Sequence, residues 1–198
     1  GAPGSDFWLD ISSQPNTFSA ITTVNANVTG NLIVTGTTQN LIPSANNTYT
    51  LGNSTNRWSN IWGLASSAQY ADLAERYLAD KPYEPGTVVV FGGSAEITVT
   101  VTDHDHRIAG VVSTDPAYLM NDSADKGNLW LPIALQGRVP TRVQGPVRKG
   151  DLLVSSSEPG IARKMSKALY EPGCVIGKSL EDHDENTVKV IEVVVGRI

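Results

Sequence analysis

The chain has 198 residues, a formal net charge of -5, 18 glycines, 11 prolines and one cysteine. That length holds one good domain plus an appendage. No Lys/Arg cluster exceeds a pair of neighbours, which argues against a nucleic-acid or anionic-membrane surface. The lone Cys174, between Gly173 and Val175, excludes an internal disulfide framework and reads as a small buried apolar residue. No apolar run approaches the ~18 residues of a membrane span.

In chain order, residues 1–5, Gly-Ala-Pro-Gly-Ser, resemble a cloning scar, so the chain reads as a fragment of a longer protein. Residues 6–40 read as a β-stem. Within it Val24, Ala26 and Val28, then Leu32 and Val34, alternate in Thr-rich sequence, with Gly30 and Gly36 as breaks. The echo Val28-Thr29-Gly30 and Val34-Thr35-Gly36 suggests a repeating unit. About thirty such residues cannot bury enough surface to offset chain entropy. They need partners, and identical chains wound round one axis would bury Val28, Leu32 and Val34. The alternative is a Thr/Asn-rich linker.

Residues 41–66 form a Trp-rich collar. Tyr49, Leu51, Trp58, Ile61 and Trp62 are a dense apolar set in a polar neighbourhood, with Gly52 and Asn53 supplying a turn. Burial between chains of a trimer, an intrachain core and a carbohydrate-binding surface are the three uses weighed, and the first is preferred. Pro43, Asn47, Tyr49, Leu51, Gly52, Arg57, Trp58, Ile61 and Trp62 match a short module that follows the β-stem in fibre and tailspike proteins of tailed phages. The collar resembles that module over about twenty residues.

Residues 67–82 read as a bridging helix. Ser66 and Gln69 make a capping box, and Tyr70, Leu73, Ala74, Tyr77 and Leu78 form one stripe. Asp72 and Arg76 stand as an i, i+4 pair, and Lys81-Pro82 ends the run. Tyr70-Ala71-Asp72-Leu73-Ala74-Glu75 is similar to the opening signature of the intramolecular chaperone domains of phage neck-appendage proteins, and the similarity continues through 107–121 and 134–162. The family includes self-cleaving peptidases of the glutamic type. The resemblance therefore implies Asp72 and Glu75 as catalytic carboxylates for a single self-cleavage, one attacking its own carbonyl while the other manages the proton. Leu73 follows Asp72 where the family places a serine, and solvated or ion-paired carboxylates are the simpler reading.

Residues 83–198 read as a β-rich head. Three Glu-Pro-Gly triplets, at Glu84, Glu158 and Glu171, suit type II turns. Strands are expected at 87–91, 95–101, 107–113, 131–136, 139–143, 151–155, 173–178 and 187–195. PGTVVVF then RIAGVVS parallels KGDLLVS then CVIGKSL, with Gly86 and Gly110 spaced much as Gly150 and Gly177, which suggests two related β-halves. Asp103-His104-Asp105-His106 has the His-x-His spacing of a metal site on a strand, but it lies between two strands of the head and reads as a polar loop. His183, among Glu181 to Glu185, reads as part of a solvated hairpin.

The expectation is a mainly β protein: an intertwined trimeric β-stem, one short helix, and a turn-rich β-barrel or sandwich head. It needs no cofactor and no metal. The function expected is structural, the C-terminal part of a phage tail fibre or appendage in the virion, whose head trimerises the chains and sets their register. Its partners would be two copies of itself and other tail or baseplate proteins. A receptor-binding tip for a host-surface glycan or protein, and a self-cleaving chaperone, are the alternatives.

Overall fold

The computed structural model describes residues 42–46, 48–53, 55–62, 71–122 and 127–196. Two compact units divide the chain, Gly1–Tyr49 and Thr50–Ile198. In the first, the Ser44 hydroxyl donates to the Tyr49 hydroxyl at 3.0 Å. The stem residues Val28, Leu32 and Val34 lie outside the described residues.

The second unit is mainly β. Its strands are β1 (Asp72–Leu78), β2 (Val88–Phe91), β3 (Ile97–Thr98), β4 (Ile108–Val112), β5 (Tyr118–Met120), β6 (Trp130–Gln144), β7 (Leu152–Ser155), β8 (Ala162–Lys164), β9 (Val175–Ser179) and β10 (Val188–Val195). A single turn of 3-10 helix, Lys167–Leu169, is the helix found among the described residues. The three Glu-Pro-Gly turns close as expected, with Thr87, Ile161 and Cys174 amides donating back to the carbonyls of Glu84, Glu158 and Glu171.

The pairings close two small barrels that share β6. In the first, β1 pairs β6, β6 pairs β4, β4 pairs β2 and β2 pairs β3, and a parallel bridge from Ile97 to Ala79 returns to the end of β1. In the second, β6 pairs β10, then β9, β7 and β8 follow, and Val143 paired in parallel with Ala162 returns to β6. The two barrels repeat one another in register. Val89 opposes Gly110 as Leu153 opposes Gly177, and each pair is followed by a shift in register. Val90 opposite Thr98 corresponds to Val154 opposite Arg163. Val111 opposite Ala134 corresponds to Lys178 opposite Val194. The duplication seen in PGTVVVF and KGDLLVS thus extends through the whole topology.

Each barrel has a core of its own. Ala79, Val89, Ile97, Val112 and Ile133 fill the first, with Tyr77, Tyr83 and Leu131 against them. The counterparts of Ala79, Val89, Ile97 and Ile133, namely Val143, Leu153, Ala162 and Val193, lie in the second, together with Ile176, Ile191 and Val195; the counterpart of Val112 is the buried Ser179. Cys174 is fully buried, as a small apolar residue should be.

Two expectations change. Residues 72–78 of the expected bridging helix form strand β1, with Leu73 to Glu75 paired in parallel to β5 and Asp72 to Leu78 antiparallel to β6. A helix this short is marginal alone, so pairing on both edges overrides its propensity. Read with a period of two, the same residues put Tyr77 and Ala79 on the core side. Arg76, expected to pair with Asp72, instead bonds the Asp122 carboxylate at 2.7 Å and the Trp130 carbonyl at 2.8 Å. The strands expected at 131–136 and 139–143 are one continuous strand, β6. Gly137 is no turn between them; it holds a φ of +114°, where a Cβ would stand 2.1 Å from the Ala71 carbonyl oxygen. The missing side chain lets β1 begin against the point where β6 passes from one barrel to the other.

Candidate functional site

Three places carry the polar and exposed residues that the sequence singles out. The first surrounds Asp72, the first residue of β1. Its side chain is 6 % exposed and accepts a hydrogen bond from the Ser113 hydroxyl at 2.6 Å, just past the end of β4. It borders a groove of about 470 Å³ lined also by Asp115, Arg138, Pro140 and Glu192. Glu75 is three residues along β1; the register shift between Leu73 and Ala74 puts its extra residue on β6, and buried Asp72 and Ala74 still alternate with half-buried Leu73 and Glu75, so Glu75 faces the other side of the sheet. There it accepts the Tyr77 hydroxyl at 2.9 Å. Burial and then this carboxylate push the Tyr77 phenol up to about 12. The strand thus brings Asp72 to Ser113 and keeps it apart from Glu75. The Asp72 carbonyl is also engaged, accepting the Ala117 amide at 2.9 Å.

The second place is the collar. In the second unit Leu51, Trp58, Ile61 and Trp62 are 62, 63, 74 and 93 % exposed. Tyr49, in the first unit, is 62 % exposed. Between Leu51 and Trp58 the backbone is held by a local turn: the Asn53 side-chain oxygen accepts the amides of Thr55 at 2.9 Å and Asn56 at 2.7 Å. Arg57, one of the residues of the module match, donates to the Asp122 carbonyl at 2.5 Å. Of the uses weighed for the aromatic set, an intrachain core among the described residues is the one this exposure removes.

The third place is the loop of Asp103 to His106, which joins the barrels. The buried His104 accepts the Ser166 amide on Nε2 at 2.9 Å, and its own amide donates to the Ser155 carbonyl. The Asp105 amide donates to the Ser155 hydroxyl at 2.9 Å. The Asp105 carboxylate accepts the Thr100 hydroxyl at 2.6 Å and two Arg107 guanidinium nitrogens at 3.0 and 2.6 Å. His106 stays exposed, so the two imidazoles do not converge. Among the described residues no group of three or more His, Cys, Asp or Glu side chains is placed to hold a metal ion. This polar loop is a clasp. His183 also departs from the solvated hairpin expected: it is 5 % exposed, its backbone bonds Val147 in both directions, and its Nε2 stands 2.8 Å from the Thr187 carbonyl oxygen.

The clasp has a pH signature. The Arg107 guanidinium, helped by the Thr100 hydroxyl, holds the Asp105 carboxyl far below the ordinary carboxylate range. An unfolded aspartate titrates near ~3.9. Because the folded value is depressed, this contribution is complete above that pH and disappears as pH falls toward the folded value. Asp105→Asn is expected to lower the urea midpoint at neutral pH and to flatten the fall in stability below about pH 4. Parallel acid limbs for the two proteins would refute the assignment.

No protein-family model matches the chain, and no curated protein does. Among solved structures, the crystal structure of the pre-mature bacteriophage phi29 gene product 12 is similar, with a TM-score of 0.52 and 11 % identity. The match covers 70 % of this chain and 23 % of that one, so the chain spans less than a quarter of the phage protein's length. At that identity the likeness is one of fold: the chain is a mainly β protein whose fold is similar to part of this phage protein.

Proposed function

We propose that this chain is part of a phage tail fibre or appendage, and that its head gathers three identical chains and sets their register. The observation that carries the reading is the collar. Leu51, Trp58, Ile61 and Trp62 lie within a dozen residues, all more than 60 % exposed, and Tyr49 precedes them. A cluster of this size left in water is costly, and large exposed apolar patches mark interaction surfaces. The Thr-rich segment that precedes it also needs partners to be stable. The fold likeness to a phage protein supports the virion setting. Heads that associate first would raise the local concentration of the preceding segments, which could then pair in register. Other tail or baseplate proteins would complete the particle.

The test is mass in solution by light scattering, with an intact-chain mass spectrum on the same sample. A mass near three uncut chains is expected. A monomer at micromolar concentration would overturn the reading. Chains cut near Asp72 would restore the self-cleaving alternative, which the opposed faces of Asp72 and Glu75 disfavour.

A further inference from the structure

The duplication supplies an internal control for a groove on the second barrel. Residues 79–90 and 143–154 align without a gap, Ala79 with Val143 and Val90 with Val154. In each barrel the first of these residues is buried and bridged in parallel, Ala79 to Ile97 and Val143 to Ala162. The residues that follow turn away from the core side by side: Asp80 with Thr98 in the first barrel, Gln144 with Arg163 in the second. In the first barrel a phenol lies across this pair. The Tyr83 hydroxyl donates to the Asp80 carboxylate at 2.5 Å, stands 3.3 Å from the Thr98 hydroxyl and accepts the Val99 amide at 3.3 Å. The counterpart of Tyr83 is Val147, which is buried in the second core and has no polar side-chain atom. Gln144 and Arg163 therefore border an open place, a groove of about 490 Å³. Small-molecule sites span about 300–1,000 Å³.

We propose that this groove binds a sugar ring. The Gln144 amide nitrogen donates to the Asn186 side-chain oxygen at 2.9 Å. Whichever way the two amides are turned, one nitrogen and one oxygen remain unspent, a donor beside an acceptor. Neighbouring hydroxyls of a sugar ring offer the matching pair. The Ser157 and Ser166 hydroxyls line the same groove and have no partner among the described residues. Pro146 and Met165 supply apolar contact for the C–H face of a ring. Charge argues against an anion. Arg163 is already paired with Asp103 at 3.2 Å and Lys164 with Asp151 at 2.8 Å, and Glu158 adds a further carboxylate. The mostly polar walls argue against the tyrosine of a partner protein, whose ring carries a large apolar area. The site goes beyond the assembly role and does not depend on it, and it gives the glycan alternative a place in the head.

The experiment is amide NMR of the isotopically labelled full chain. The probes are glucose, galactose, N-acetylglucosamine and N-acetylgalactosamine at millimolar concentration, with inorganic phosphate and N-acetyltyrosinamide for contrast. Saturable shifts of the Gln144 and Asn186 side-chain amides are expected with at least one sugar and with neither contrasting probe. Gln144→Ala with Asn186→Ala should weaken that binding about tenfold, read at the backbone amides of Ser157 and Ser166. Ser157→Trp, at an exposed position, fills the groove without touching either core and should abolish the shifts, while circular dichroism stays that of the wild type. No saturable shift with any of the four sugars would overturn the site, as would shifts with phosphate or N-acetyltyrosinamide alone. Wild-type affinity in both variants would overturn it too.

Discussion

Gly177→Ala is expected to destabilise the head by on the order of 3 kcal/mol or more, and Gly110→Ala by a similar amount. A Cβ on Gly177 would stand 2.0 Å from the carbonyl oxygen of Val194, and one on Gly110 2.3 Å from that of Ala134. Both obstacles are backbone atoms of a neighbouring strand, so no rotamer change relieves them. Both glycines sit where the register shifts, at equivalent points of the two barrels. The extra residue there, Ala109 in one barrel and Ile176 in the other, packs inward. Against a total stability of about 5–15 kcal/mol, such a loss is a large fraction. Urea unfolding measures it. Gly127→Ala, with nothing within 4 Å of its would-be Cβ, is the matched control and should change stability by less than about 0.5 kcal/mol. A loss below about 1 kcal/mol at Gly177 would mean that β9 and β10 do not approach as closely as described.

Trp58→Ala combined with Trp62→Ala should leave the head folded and dissociate the chains. The two rings are 63 and 93 % exposed in the single chain, so their loss removes little from its own stability. Buried between chains, each ring would contribute roughly 4–6 kcal/mol, from about 150–250 Å² at about 25 cal/mol/Å². Losing two such rings from every chain moves an association constant by several powers of ten. Light scattering over a dilution series reads the effect, with the melting curve of the head as the control. An unchanged mass would assign the rings to another partner, and the host-surface reading would then gain ground.

Much of the head was legible because its signals are local. Val-rich runs bounded by Glu-Pro-Gly turns mark strands, and the parallel of Gly86 and Gly110 with Gly150 and Gly177 reflects a duplication that the pairings carry through. Strand β1 was hidden by composition. Ala71 to Leu78 has the spacing of a helix, and only its two neighbours, far along the chain, make it a strand. Strands β5 and β8 have three residues each, too few for any period to register. The residues around His104 show the same limit. The tetrad is plain in sequence, but its partners Ser155 and Ser166 are distant, and only the fold brings them together. Likewise nothing near Asp72 points to Ser113.

The sharing of β6 has a consequence for timing. The first barrel cannot close until the first half of β6 exists, and the second cannot close until β10 pairs with the other half. Of the strands described, β10 is the last to leave the ribosome. A chain cut short before Val188 could therefore close its first barrel but would leave the second without the strand that joins β6 to β9.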